Sequence, residues 1–317
     1  MNTQEKTRFD LWGQSVESDT ATGQFRVAFD GQSKEGARNG FLALNDLYLS
    51  LLESPHATLG NRHVQQQPCY EEVYKEFRAS GLPVDEFACD VPKFESYLKD
   101  TLPKYGSYAT NQGGLQGYFP QKALEHWISA EYLRWRPNAK VLDFAAWISP
   151  AIAILPSYRP AEFYKHDITL KTDLPQHLVA GMSDAVEAPD EYFDFVMAHC
   201  AIDNFEGHYD TAFFREARRI LKPGGKVLVT PLHMSARYEN IVAIGSKALD
   251  VDEGASVVVG PPESLRFGRL YSVAALKKRV TDAVEGLEFR IVHVGGLPIA
   301  KYSAVCTNRF MLVGIKR

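Results

Sequence analysis

Between residues 199 and 233 lie His199, Asp203, His208 and His233, four candidates for taking up a proton from a substrate. An imidazole titrates near neutral pH and an ionised carboxylate only accepts hydrogen bonds, so each could act as a general base. Each histidine reads equally well as a satisfied core or surface group. Further on, "GPPESLRFGRLYS" carries Arg266 and Arg269, whose planar guanidinium groups suit a carboxylate or phosphate on an acceptor. Surface ion pairing is the plain alternative for both. A third set lies in "KVLDFAAWISPAIAIL", residues 140–155. It begins like a nucleotide-binding turn, with Asp143 ending a buried strand. Ala145, Trp147 and Ser149 then stand where glycines belong.

These groups need a scaffold, and the apolar periodicity supplies one. "KVLDF", "AEFYKH", "FDFVMAHC" and "KVLVTPL" are short apolar runs expected as strands buried on both faces. "HYDTAFFREARRILK" between the last two has a helical apolar stripe, as does "PQKALEHWISAEYLRW" ahead of the first. "SVAALKKRVTDAV" reads as a helix, and "EFRIVHVGG" and "RFMLVGIKR" as a closing strand pair. Alternating strands and helices predict a doubly wound, mainly parallel α/β sheet, with "KVLDF" central and "RFMLVGIKR" antiparallel. Before residue 118 the texture differs. "ARNGFLALNDLYLSLLES", "YEEVYKEFRAS" and "VPKFESYLKD" read as short helices, and the Gly- and Asn-rich "YGSYATNQGGLQGYF" as a hinge. The expected organisation is a helical region over 1–117 that binds substrate or a partner. An α/β domain follows over 118–317, with an insertion at about 233–268 that is longer than a compact connection requires.

Composition narrows the function classes. A net charge of −4 and a pI near 6.2 give no basic stripe for nucleic acid. The four cysteines are scattered without a C-x-x-C pair, so neither a zinc site nor a disulfide framework is indicated, and no metal is expected. No signal-like or membrane-spanning apolar run is present, and a cytoplasmic location is the expectation. Composition leaves a homo-oligomer open.

In "FDFVMAHCAIDNFEGHYDTAFFREARRILKPGGKVLVTPL" a strand, an acidic-plus-aromatic turn, a helix ending in "R-x-L-K-P-G-G" and another strand follow in order. This arrangement resembles the Rossmann-like class of S-adenosylmethionine-dependent methyltransferases, and the resemblance extends from Tyr118 to the C-terminus. "HCAIDNFEG" and "RFGRLYS" also resemble a subgroup from bacterial surface-polysaccharide genes, which implies a small-molecule or glycan acceptor. The resemblance implies a seven-stranded sheet and S-adenosylmethionine as cofactor. It makes "DFAAWIS" the degenerate first motif, so Asp143, Ala145, Ala146, Trp147 and Ser149 fall beside the methionine part. Ser149-Pro150 still suits a helix start that offers N–H groups to a carboxylate. It further implies Asp167 as the ribose acid, with Glu162 the rival register. Ser183, Asp184 and Ala185 become the adenine turn, and Ala198 and His199 line the cofactor. His126 falls on a helix that closes over the cofactor, with Tyr118 and Phe119 next to it as an aromatic lid.

Methyl transfer is an in-line displacement that gains from alignment and, for a hydroxyl acceptor, from proton removal. His199, Asp203 and His233 are therefore the catalytic candidates, and Arg266 and Arg269 join His126 and Tyr118 for substrate. Two rivals stand beside this reading. Trp147 could fill the cleft and leave a catalytically silent scaffold or regulatory subunit, or the sheet could serve a related S-adenosyl or nucleotide-sugar transferase. The absence of G-x-G-x-x-G with a downstream acid argues against a nicotinamide dehydrogenase.

Overall fold

The computed structural model describes residues 6–11, 14–19, 24–28, 70–101, 104–105, 119–146, 149–168, 178–243, 250–260, 266–298, 301 and 308–317. The helix expected over 37–54, most of the Gly-rich hinge, Tyr118 and Trp147 lie outside these residues. The first described elements are strands β1 (Lys6–Leu11), β2 (Gln14–Asp19) and β3 (Gln24–Ala28). Helix α1 (Tyr70–Ala79), β4 (Val84–Ala88), α2 (Val91–Thr101) and α3 (Phe119–Leu133) come next. Then follow β5 (Lys140–Phe144), α4 (Ala151–Tyr158), β6 (Glu162–His166), β7 (Leu178–Val179), β8 (Gly181–Met182), β9 (Ala185–Val186) and β10 (Phe193–His199). The chain continues through α5 (Tyr209–Ile220), β11 (Leu221–Thr230), β12 (Glu239–Ala243), β13 (Ser256–Gly260) and β14 (Phe267–Leu270). It closes with the short α6 (Val273–Leu276), β15 (Leu287–Gly295) and β16 (Phe310–Lys316).

The chain divides into two compact units, Tyr74–Ile202 with Tyr209–His233 and Lys277–Arg317, and Met1–Val73 with Asp203–His208 and Met234–Leu276. The first holds an eight-stranded sheet in the order β4-β15-β16-β11-β10-β5-β6-β7. β11, β10, β5, β6 and β7 run parallel, and β16 is antiparallel to both β11 and β15. Seven strands from residue 140 onward thus form the expected mainly parallel sheet, with "KVLDF" inside it. β4 adds an eighth at the edge, parallel to β15, so residues from 74 onward belong with this sheet rather than with a separate N-terminal region.

Four successive buried residues, Val141 to Phe144, account for β5, since a parallel strand covered on both faces reads as a continuous apolar run. α5 is amphipathic, burying Phe213, Phe214, Ala217 and Ile220, and its basic last turn suits the helix dipole. Pro223 cannot continue that helix, and Gly224 supplies φ +75. Leu221 pairs with Phe193 and Lys226 with Phe195, so "KPGG" bulges out before the ladder resumes.

The second unit carries a six-stranded sheet in the order β1-β2-β3-β13-β12-β14. β3 pairs antiparallel with β13, so residues 6–28 share one sheet with the insertion after His233. The N-terminal stretch is therefore not wholly helical. Its apolar residues Phe9, Leu11, Val16, Phe25 and Val27 alternate with polar ones at the period of a strand, not of a helix.

Candidate active site

Helix α3 hides a polar stripe inside an apolar sequence. Gln121, Glu125 and Ser129 recur every four residues and so share one face, and all three are buried, as is His126. β5 and β10 run side by side, Ala198 pairing with Phe144, which brings Asp143 and His199 together at their carboxyl ends. His199 Nδ1 lies 3.1 Å from Asp143 Oδ1, and the Ser149 hydroxyl donates to Asp143 Oδ2 at 2.7 Å. His199 Nε2 lies 2.9 Å from Ser129 Oγ, itself 2.8 Å from the Glu125 carbonyl. The Ser129 hydroxyl can donate to either partner, so the ring is satisfied neutral or protonated. His126 stands edge-on to His199, with centroids 4.8 Å apart. Its Nδ1 is 2.8 Å from Tyr105 Oη and its Nε2 3.5 Å from Ser149 Oγ.

Burial alone would push the Asp143 carboxyl up, but the hydrogen bond and charge of His199, with His126 and Ser149, outweigh it. Asp143 is held below the usual carboxylate range and is ionised at neutral pH. Burial, reinforced by His199, drives His126 well below the usual histidine range, so it is neutral.

The turn after β5 keeps a glycine geometry without glycine. Ala145 has φ +51, the left-handed region that costs a Cβ-bearing residue about 1–2 kcal/mol. His166 at the end of β6 holds it there. The Ala145 N–H donates to His166 Nδ1 at 3.3 Å and the Ala146 N–H to the His166 carbonyl at 2.8 Å. His166 Nε2–H is then free to donate to the Gly181 carbonyl at 3.1 Å, and the ring stacks on Phe144 at 4.0 Å. Burial pulls the His166 pKa down to about 4. α4 begins one residue later than the motif suggested. Pro150 occupies the cap position, while Ser149 Oγ accepts the Ala151 N–H at 3.3 Å.

β6 pairs Lys140 with Glu162 and Asp143 with Lys165, which puts Glu162 at the amino end of the strand and buried Asp167 directly past its carboxyl end. Of the two acids, Asp167 is the one at the carboxyl end of the sheet. Ser183 and Asp184 form the tight turn between β8 and β9, with Asp184 and Ala185 exposed. Three large apolar side chains are exposed around these residues: Ile168 at 62%, Met182 at 38% and Tyr209 at 40%. Ile168 follows Asp167, Met182 precedes Ser183, and the Ser183 hydroxyl reaches the Tyr209 carbonyl at 3.5 Å. Solvent-facing apolar groups of this kind suit a flat aromatic ligand.

The sequence candidates therefore separate. Asp143, Ser149, His126 and His199 meet in one buried network, whereas Ala198 is core. His199 was expected as a base, but both ring nitrogens are engaged, and Nε2 must leave Ser129 before it can reach an acceptor proton. His126, expected on a helix closing over the cofactor, is likewise buried. Asp203, in a short 3-10 turn, and His233 are half-buried, and His208 is exposed. Arg269 is no substrate clamp. It is buried against Asp252 at 2.7 and 3.0 Å and donates to the Phe205 and Gly207 carbonyls at 2.7 and 3.1 Å, bracing that loop within its own unit. Arg266 makes the exposed pair anticipated as its alternative, with Glu206 at 3.2 Å.

Sequence reasoning missed Ser129, His166, Tyr105 and a cluster in which buried Glu125 accepts from Gln121 at 2.9 Å, Lys122 at 2.9 Å and Cys200 at 3.2 Å. The recurrence of polar residues at 121, 125 and 129 was the available signal. Among the described residues no group of side chains could hold a metal ion, and no helix is long and apolar enough to cross a membrane.

Residues 152–229 match the family described as "Methyltransferase domain". No curated protein matches the chain. Among solved structures, the 1,6-didemethyltoxoflavin-N1-methyltransferase of Burkholderia thailandensis is similar at 14% identity and a TM-score of 0.43, over 74% of this chain and 93% of that one. An S-adenosylmethionine-dependent methyltransferase of Mesorhizobium loti is similar at 13% identity and 0.38, over 61% and 98%. One from Aquifex aeolicus stands at 16% and 0.38, over 61% and 92%. Residues 152–229 thus carry a methyltransferase domain, set within the mainly parallel α/β sheet.

Proposed function

We propose that the chain methylates a small-molecule or glycan acceptor, binding its cofactor along the carboxyl ends of β5, β6 and β10 and at the β8–β9 turn. The observation that carries this reading is the left-handed Ala145 turn, tied through His166 to Gly181, beside Asp167 and Asp184. These residues fit the group. Asp167 would accept from the ribose hydroxyls, Asp184 from the adenine amino group and the Ala185 N–H would meet a ring nitrogen, with Ile168 and Met182 as apolar cover. Ala145, Ala146, Trp147, Ser149 and the His199–Asp143 pair would border the methionine part. S-adenosylmethionine supplies the electrophilic methyl group. Alignment does most of the remaining work, and His233 is the base proposed to take the proton where the acceptor is a hydroxyl.

The sheet unit formed by residues 6–28 and the insertion serves acceptor or partner recognition in this reading, with Arg266 at its surface and Tyr118 next to α3. The resemblance to surface-polysaccharide enzymes supports a glycan acceptor, a cytoplasmic location and polysaccharide biosynthesis as the setting. Self-association into a homo-oligomer belongs to the same proposal. Asp184→Ala should weaken S-adenosylhomocysteine binding about tenfold or more, the worth of a charge-assisted hydrogen bond of roughly 1.5–3 kcal/mol. Calorimetric titration reads this directly, and an unchanged affinity would remove Asp184 from the site.

A further inference from the structure

The β8–β9 turn is held by an ion pair that touches none of its exposed residues. Val186, the last residue of β9, is buried and pairs with Gly181 on one side. On its other side no strand among the described residues continues the ladder, and α5 supplies a partner with two side chains. The Val186 N–H donates to Glu216 Oε1 at 2.8 Å, and the Val186 carbonyl accepts from Arg219 Nη2 at 2.9 Å. Glu216 and Arg219 also bind each other in a fork, Nη2 to Oε1 at 2.6 Å and Nε to Oε2 at 2.9 Å. Arg219 Nη1 extends the grip to the Ala188 carbonyl at 2.9 Å and Asp190 at 2.6 Å.

The hairpin itself is too small to define its own geometry, with two residues in each strand. It is also tight. A Cβ on Gly181, whose φ is +117, would lie 2.2 Å from the Ala185 carbonyl oxygen. A two-residue turn gains its position from what fixes its ends, and here one end is His166 on Gly181 and the other is the Glu216–Arg219 fork on Val186. Arginine suits this duty because its planar fork reaches two carbonyls and a carboxylate together, which a lysine ammonium does not.

We propose that Glu216 and Arg219 are positioning residues that set base selectivity, holding the Ser183–Ala185 turn where Asp184 accepts from the 6-amino group of adenine and repels a 6-oxo purine. The proposal rests on the reading of Asp184 as the adenine contact. A carboxylate aimed at an amino donor meets a carbonyl oxygen in the oxo compound, so the discrimination depends on where the turn sits and not on its presence alone.

The test titrates wild type, Glu216→Ala, Glu216→Gln and Arg219→Lys with S-adenosylhomocysteine and with S-inosylhomocysteine, thermal unfolding confirming that each variant is folded. Wild type should prefer the adenine compound about tenfold or more. Arg219→Lys and Glu216→Ala should lose most of that preference, with weaker S-adenosylhomocysteine binding and unchanged binding of the inosine compound. Glu216→Gln, which keeps an oxygen for the Val186 N–H, should fall between. If Glu216→Ala does not fold, Arg219→Lys carries the comparison. A wild type without preference would sink the adenine reading and this proposal with it. A preference that survives in the variants would overturn the clamp alone, and so would equal weakening of both compounds.

Discussion

Asp143→Ala should lower the unfolding free energy by about 3–6 kcal/mol, the worth of the two hydrogen bonds its buried carboxylate accepts at roughly 1.5–3 kcal/mol each. The carboxylate is 1% exposed and receives both His199 and Ser149, so no water replaces it when it goes. His199 is left with one polar contact, to Ser129, and the hydroxyl of Ser149 loses its acceptor. Urea denaturation at neutral pH measures the loss. A double variant with His199→Leu should cost less than the sum of the two single changes, because the groups interact directly. A loss below about 1 kcal/mol in Asp143→Ala would fit only an exposed surface pair and would contradict the buried network.

Acid should destabilise the protein well above the ordinary carboxylate range. His166 titrates near 6.5 when unfolded and at about 4 in the fold, where it is buried and accepts the Ala145 N–H at Nδ1. Between those values the unfolded chain binds a proton that the folded chain refuses, so stability falls as pH falls from about 6.5 to about 4. Above that window the contribution of neutral His166 is fully present. The drop amounts to about 3 kcal/mol for this group. His126, also held neutral by burial, acts in the same direction. Asp143 contributes with the carboxylates instead. Its stabilisation is lost only as pH falls through a value below the usual range. Denaturation midpoints at pH 7 and pH 4.5 test the slope, and His166→Gln should flatten it while lowering stability at pH 7. An equally steep slope in that variant would assign the effect to other groups.

The parallel sheet was legible because each strand of residues 140–230 is a short apolar run between polar turns, and burial on both faces demands that pattern. The strands of residues 6–28 went unread because the helical stripes farther along dominated the N-terminal region. Their own period-two alternation is short and interrupted by Gly and polar residues. Asp143 was legible from its place at the end of "KVLDF". Its pairing with His199 was not, since His199 lies 56 residues after it and only the pairing of β5 with β10 unites them. Arg269 shows the opposite failure. A guanidinium in an insertion reads as a surface clamp until the fold supplies Asp252, 17 residues away, to neutralise it. The left-handed Ala145 was hidden as well, because the support that holds it comes from His166, on the neighbouring strand.

The central claim is that a turn without glycine still receives S-adenosylmethionine. Calorimetric titration of the wild-type chain with S-adenosylmethionine and S-adenosylhomocysteine tests it most directly, beside Trp147→Gly as a control. The account predicts saturable one-to-one binding of both compounds to wild type, with affinity similar or lower in Trp147→Gly. Wild type with no heat of binding and no thermal shift at millimolar ligand, alongside binding that arises only in Trp147→Gly, would contradict it and make the indole a plug.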